Sequence, residues 1–140
     1  FLHPSLLAFD APSREECAAD RNRSNLPQQA LVLLNDPTYV EAARVFAARI
    51  LQQGGSDTAA RLTWAWRQAL QRAPREDEVQ VVTALLEKHK AQYAQDAQAV
   101  GAILKVGLSP APQDLAPAEL AAWTSVARVI LNLHETITRD

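Results

Sequence analysis

The chain has 140 residues, 48% hydrophobic and 21% charged, enough for one globular domain with a real core. Fourteen Lys and Arg against 16 Asp and Glu give a net charge of −2, which excludes the basic footprint of a nucleic-acid binder. No apolar run approaches the roughly 18 residues of a membrane span, and the lone Cys17 excludes an internal disulfide or a cysteine zinc cluster. The sequence begins at Phe1 and contains no Met, so it reads as a fragment of a longer polypeptide. A missing targeting signal therefore says nothing about location.

Residues 1–23 read as an extended lead-in restricted by Pro4 and Pro12, the end of a larger upstream region. Leu2, Leu6, Leu7 and Phe9 are its candidate anchors. Arg14, Glu15, Glu16, Asp20, Arg21 and Arg23 form a mixed-charge segment, with Arg21 and Arg23 as candidate anion or carboxylate ligands. Residues 24–140 read as the helical domain. Its first helix is predicted from Pro27 to Leu34, capped by Ser24 or Asn25. Leu31, Val32, Leu33 and Leu34 make it apolar all round, which marks it as the central element.

Asn35-Asp36-Pro37 then breaks and restarts the helix, with Asp36 as N-cap and Pro37 in the first turn. The second helix runs to about Gln53 and stops at Gly54-Gly55. Tyr39, Val40, Ala43, Phe46, Ala47, Ile50 and Leu51 fall on its inner face, with Glu41, Arg49 and Gln52 opposite. Asp57 caps a third helix whose inward stripe is Leu62, Ala65, Trp66, Ala69 and Leu70. Trp64 points the other way, an interface candidate.

Pro74 opens the fourth helix, where Glu76, Asp77 and Glu78 suit the dipole at the N-terminus better than they suit a metal. Its inner face carries Val79, Val82, Leu85, Leu86, His89 and Tyr93. Asp96 caps a short fifth helix that Gly107 ends. A proline-rich connector leads to the last helix, which starts at Pro117 and carries Leu120, Trp123, Val126, Ile130, His134 and Ile137 on one broad face. Arg128, Asn132 and Glu135 line another edge of that helix as candidate partner contacts. No run alternates with period two, so the fold class is all-α, a compact bundle of about six helices with no sheet.

Signatures of chemistry are missing: no CxxCH, HExxH, GxSxG or glycine-rich phosphate loop occurs. Acids flank Cys17 and oppose a thiolate. The sequence offers no catalytic residue set and no metal set. The binding candidates are Arg21, Arg23, Asn35, Asp36, Arg128, Asn132 and Glu135.

Three stretches carry a family resemblance: FDAPSREEC (Phe9 to Cys17), QALVLLNDPTYVEAAR (Gln29 to Arg44) with Arg21, Arg23, Asn25 and Pro27 before it, and ELAAWTSVARVILNLHETITR (Glu119 to Arg139). With these the chain resembles the C-terminal domain of planctomycete cytochrome-c-type proteins, the domain-of-unknown-function family numbered fifteen fifty-three. The sequence departs from that pattern at Ala18, Ala19 and Asp20, at Gln28 and at His134. The resemblance implies a large exported parent, often with an upstream haem domain carrying CxxCH and sometimes a carbohydrate-binding-like module. It therefore implies an extracytoplasmic location, no cofactor in this fragment but c-type haem elsewhere in the parent. The partners it implies are upstream domains of the same chain or another exported protein. Three functions are compatible with it: a docking module, part of a hydrolase-like site completed upstream, or a docking surface for the parent's haem domain.

Overall fold

The computed structural model describes residues 31, 32 and 34–137. Among them six helices occur in order, α1 (Pro37–Gln53), α2 (Thr58–Leu70), α3 (Glu76–Gln95), α4 (Ala97–Leu104), α5 (Pro117–Leu131) and α6 (His134–Ile137), with no strand. The all-α bundle is therefore the fold. The expected lead-in, with Arg21 and Arg23, lies outside the described residues, as does most of the helix expected at 27–34.

Short polar side chains start the helices where the sequence places them. Asp36, Asp57 and Asp96 accept hydrogen bonds from the N–H groups of Thr38, Ala60 and Ala99 at 2.8–2.9 Å, satisfying donors that a first turn leaves orphaned. The carboxylate of Glu78 reaches back to the Arg75 N–H at 2.7 Å. Helix α2 ends at Gln71 in the left-handed conformation, φ 59°, a common way to close a helix.

Among the described residues the central element is α5 rather than the end of the apolar run before Asn35. Every residue from Leu120 to Ala127 is buried, whereas Leu31 is 56% exposed and Val32 and Leu34 are half-buried. Helix α5 packs chiefly on α1 and α3, and also on α4 and α2. Ala121, Ala122 and Ala127 keep its surface low enough for neighbours on several sides. Trp123, Val126 and Ile130 join Ile50, Leu62, Trp66 and Leu86 in the core. Its buried hydroxyls are paired: Thr124 donates to the Leu120 carbonyl at 2.7 Å, and Ser125 shares a 3.0 Å hydrogen bond with Tyr93 of α3.

Two further expectations are corrected. The last helix does not run unbroken to Ile137. It ends at Asn132, whose N–H turns back to the carbonyls of Arg128, Val129 and Ile130, while Thr136 Oγ1 donates to the Ile130 carbonyl at 2.7 Å. That break takes His134 and Ile137 off the inner face, and both are exposed. Tyr39, expected inward, is 40% exposed.

Candidate functional site

The segment Asn35 to Arg44 positions two groups of polar side chains. At the hinge, the Asn35 amide donates to the Leu31 carbonyl at 3.0 Å, and Asp36 caps α1. Arg128 reaches from α5 across to the hinge and donates from Nη2 to the Leu34 carbonyl. The structure thus brings Arg128 to the chain around Asn35 and Asp36. Asn132 lies one turn beyond Arg128 on the same edge of α5 and serves as its C-cap.

Glu135 goes elsewhere. Arg72 forks between Glu78 and Glu135, with four N–O contacts of 2.7–2.8 Å. This cation ties the end of α2 to the start of α3 and to α6. Arg72 holds the Glu78 carboxyl at about 2, well below its ordinary 4.5, and lowers that of Glu135 as well. The two acids in turn raise the Arg72 guanidinium.

Sequence reasoning misses the second group. Glu41 accepts hydrogen bonds from the N–H groups of Leu108 and Ser109 at 2.9 and 2.8 Å. One turn along α1, Arg44 donates from Nη2 to the carbonyls of Ser109 and Val106 at 2.6 and 3.4 Å. An acid and a base spaced i, i+3 therefore grip one turn of backbone, the acid on its donors and the base on its acceptors. Arg44 is 1% exposed. The Ser109 hydroxyl, then the Leu108 and Ser109 amides, pull the Glu41 carboxyl from 4.5 to about 2. Gly107 makes the close approach possible. Its φ is +94°, and a Cβ there would sit 2.2 Å from Glu41 Oε2, so only glycine fits.

What this clamp presents is Leu108, 99% exposed. Beside it runs the outer face of α1, with Tyr39, Ala42, Val45 and Arg49 at successive spacings of three, three and four residues, all exposed. Such spacing forms one stripe on a helix. Trp64 from α2 flanks the stripe. Its ring is stacked on Phe46 at 6.1 Å between centroids, and Arg49 lies 5.8 Å from its centre, within cation–π range. Trp64 is accordingly half-buried rather than freely projecting.

His89, the ionisable group singled out on the apolar stripe of α3, is half-buried and stacked on Tyr93 at 6.0 Å. Burial lowers its pKa against a counteracting hydrogen bond with Gln92, and the charges of Lys88 and Arg128 push it further down. Among the described residues no group of three or more His, Cys, Asp or Glu side chains is placed to hold a metal. Covalent attachment of a c-type haem needs two cysteines in CxxCH, and this chain has Cys17 alone.

Fold and site together define an all-helical module packed on α5, with a clamped loop that exposes Leu108. The chain belongs to the PSD1 family, proteins of unknown function (DUF1553), whose model matches residues 1–86. The match takes in the lead-in motif and the Asn35-Asp36-Pro37 motif, and with them Glu41 and Arg44. It does not extend to Glu119–Arg139. No curated protein and no solved structure matches the chain.

Proposed function

We propose that this chain is a non-catalytic docking module of a larger exported polypeptide, and that the outer face of α1 with Leu108 is its docking surface. The carrying observation is the Glu41–Arg44 clamp, which fixes a loop whose apolar side chain is given wholly to solvent. Fixing a loop costs conformational entropy. A leucine held out on such a loop is pre-organised for an apolar pocket on a partner. Tyr39, Arg49 and Trp64 supply the residue types enriched at interface centres.

The partner is an upstream domain of the same polypeptide or another exported protein. Family resemblance supports that reading, along with an extracytoplasmic location and a haem domain upstream. The hydrolase-like reading is weaker. Of its candidates, the Asn35 amide and the Asp36 carboxylate are engaged in helix-terminal bonds, and Glu135 is bound to Arg72.

The experiment is titration calorimetry of this chain against the separately produced upstream region of its polypeptide. Leu108→Asp and Val45→Glu should each weaken binding tenfold or more while leaving circular dichroism unchanged. If the haem-bearing part makes the contact, Trp64 fluorescence falls on mixing. Equal affinity for wild type and both variants would remove this face from consideration.

A further inference from the structure

Helices α3 and α5 run antiparallel, and the Tyr93–Ser125 hydrogen bond sets their register. One turn back along α3 stands His89, and nearly one turn on along α5 stands Arg128, close enough for its charge to act on the imidazole. A further turn along α5 brings Asn132. Among the described residues six buried side-chain nitrogen or oxygen atoms have no hydrogen-bond partner: Arg44 Nε, Trp66 Nε1, Trp123 Nε1, and three along this α3–α5 seam, His89 Nδ1, Arg128 Nε and Asn132 Oδ1. Among the described residues Arg128 has no carboxylate partner, and its guanidinium donates to the Leu34 carbonyl.

A buried polar group without a partner costs about 1–3 kcal/mol, and native proteins rarely leave three together. We propose that His89, Arg128 and Asn132 form a binding site for a single carboxylate group. Arg128 Nε–H and the Nδ1–H tautomer of His89 supply two donors to its two oxygens. The Asn132 amide, turned by 180°, supplies a third. Oxygen and nitrogen of such an amide are assigned from the bonds they make, so the turned form is chemically equivalent. Charge selects the ligand class. Burial, then the charges of Lys88 and Arg128, shifts the His89 imidazole toward its neutral form. Lys88 is exposed to solvent, Tyr93 and Gln92 add no charge, and Arg128 is the one cation among the described residues that donates into the site. One negative charge balances it. A phosphate brings more charge and more acceptor oxygens than these donors satisfy.

The test tracks the His89 imidazole by NMR through a pH titration of the whole chain. It is run in chloride and in acetate at equal ionic strength, then with a short aspartate-containing peptide. A bound carboxylate favours the protonated imidazole, so the midpoint should rise by about one unit or more. A rise with acetate identifies a small free carboxylate as a sufficient ligand. A rise with the peptide alone identifies an acidic polypeptide segment. Both effects should vanish in Asn132→Leu and Arg128→Gln; Asn132→Leu keeps the test open if Arg128→Gln fails to fold. The same midpoint in all three solutions, or an equal rise in both variants, overturns the proposal and leaves the site to water.

Discussion

Replacing Arg44 by Met keeps a long apolar stem in the core and deletes the guanidinium. Two effects then oppose each other. A charge-assisted hydrogen bond contributes about 1.5–3 kcal/mol, and the 2.6 Å bond to the Ser109 carbonyl is of that kind. The bond to Val106, at 3.4 Å, is too long to add much. Against the loss stands relief from burying a cation, which an apolar side chain of similar volume does not suffer and which in other proteins has made such exchanges neutral or better. Two features limit both effects here. Glu41 keeps its bonds to the Leu108 and Ser109 amides, so its charge is not stranded. Ser109 is exposed, so its freed carbonyl is open to water. The net cost expected is about 1–2 kcal/mol, equivalent to a fall in Tm of about 3–6 °C for a chain of this size.

Urea unfolding and amide hydrogen exchange together check this. The midpoint should drop at constant m, and the Leu108 and Ser109 amides should lose more protection than amides in α5. An unchanged or raised midpoint, with those two amides still protected, would refute the view that Arg44 secures the loop.

Gly107→Ala should open the same clamp from the other side. The added Cβ takes the place of the Glu41 carboxylate at a backbone angle that L-residues avoid, so Leu108 and Ser109 exchange should quicken as in Arg44→Met. The Glu41 carboxyl is held at about 2 against an ordinary 4.5, so its contribution is fully present above about 4.5 and is lost as pH falls toward 2. Stability of the wild type should therefore decline over that window, and Glu41→Gln should show a shallower decline. Glu78 has the same depressed value and keeps part of the slope in that variant. Arg72→Ala should free α6 while α5 stays folded, seen as selective loss of protection at Thr136 and Ile137, whose amides bond to the Leu133 carbonyl.

Local signals in the sequence account for the helix starts. Asp36-Pro37, Asp57 and Asp96 each combine a side-chain acceptor with a backbone that favours initiation, and neither depends on the rest of the fold. The inward stripes of α2 and α3 are legible for the same reason. Periodicity puts Glu41 on the solvent side, but its true partners lie 67 and 68 residues away. No window along the chain contains that pairing. Arg44 gives no local sign of burial, because arginine is rarely buried unless paired and its partners are again remote backbone. Tyr39 fits the apolar pattern but lies on the outer face of α1, 40% exposed. The broad apolar face of α5 is visible in the sequence. Its burial around the whole circumference is not, because small and hydroxyl residues such as Ala121, Thr124 and Ser125 carry little periodic signal.

The family match covers residues 1–86, yet the polar side chains of that segment hold on to the C-terminal part of the chain. Glu41 and Arg44 grip residues 106–109. Gln52 reaches Asp114, Arg61 reaches Glu119 at 2.8 Å, and Arg72 reaches Glu135. The apolar side is the same, since Ile50, Leu62 and Trp66 share a core with Leu120, Trp123 and Val126. Without α5 that face of α1 has no cover, and buried side chains of this size contribute roughly 1.5–3 kcal/mol each relative to exposure. A polypeptide of residues 1–86 alone should therefore show helix content without a cooperative unfolding transition, and should regain one when a peptide spanning residues 96–137 is added. Cooperative melting of residues 1–86 by themselves would mean that the family motif builds a unit of its own, and that the clamp joins two units rather than completing one.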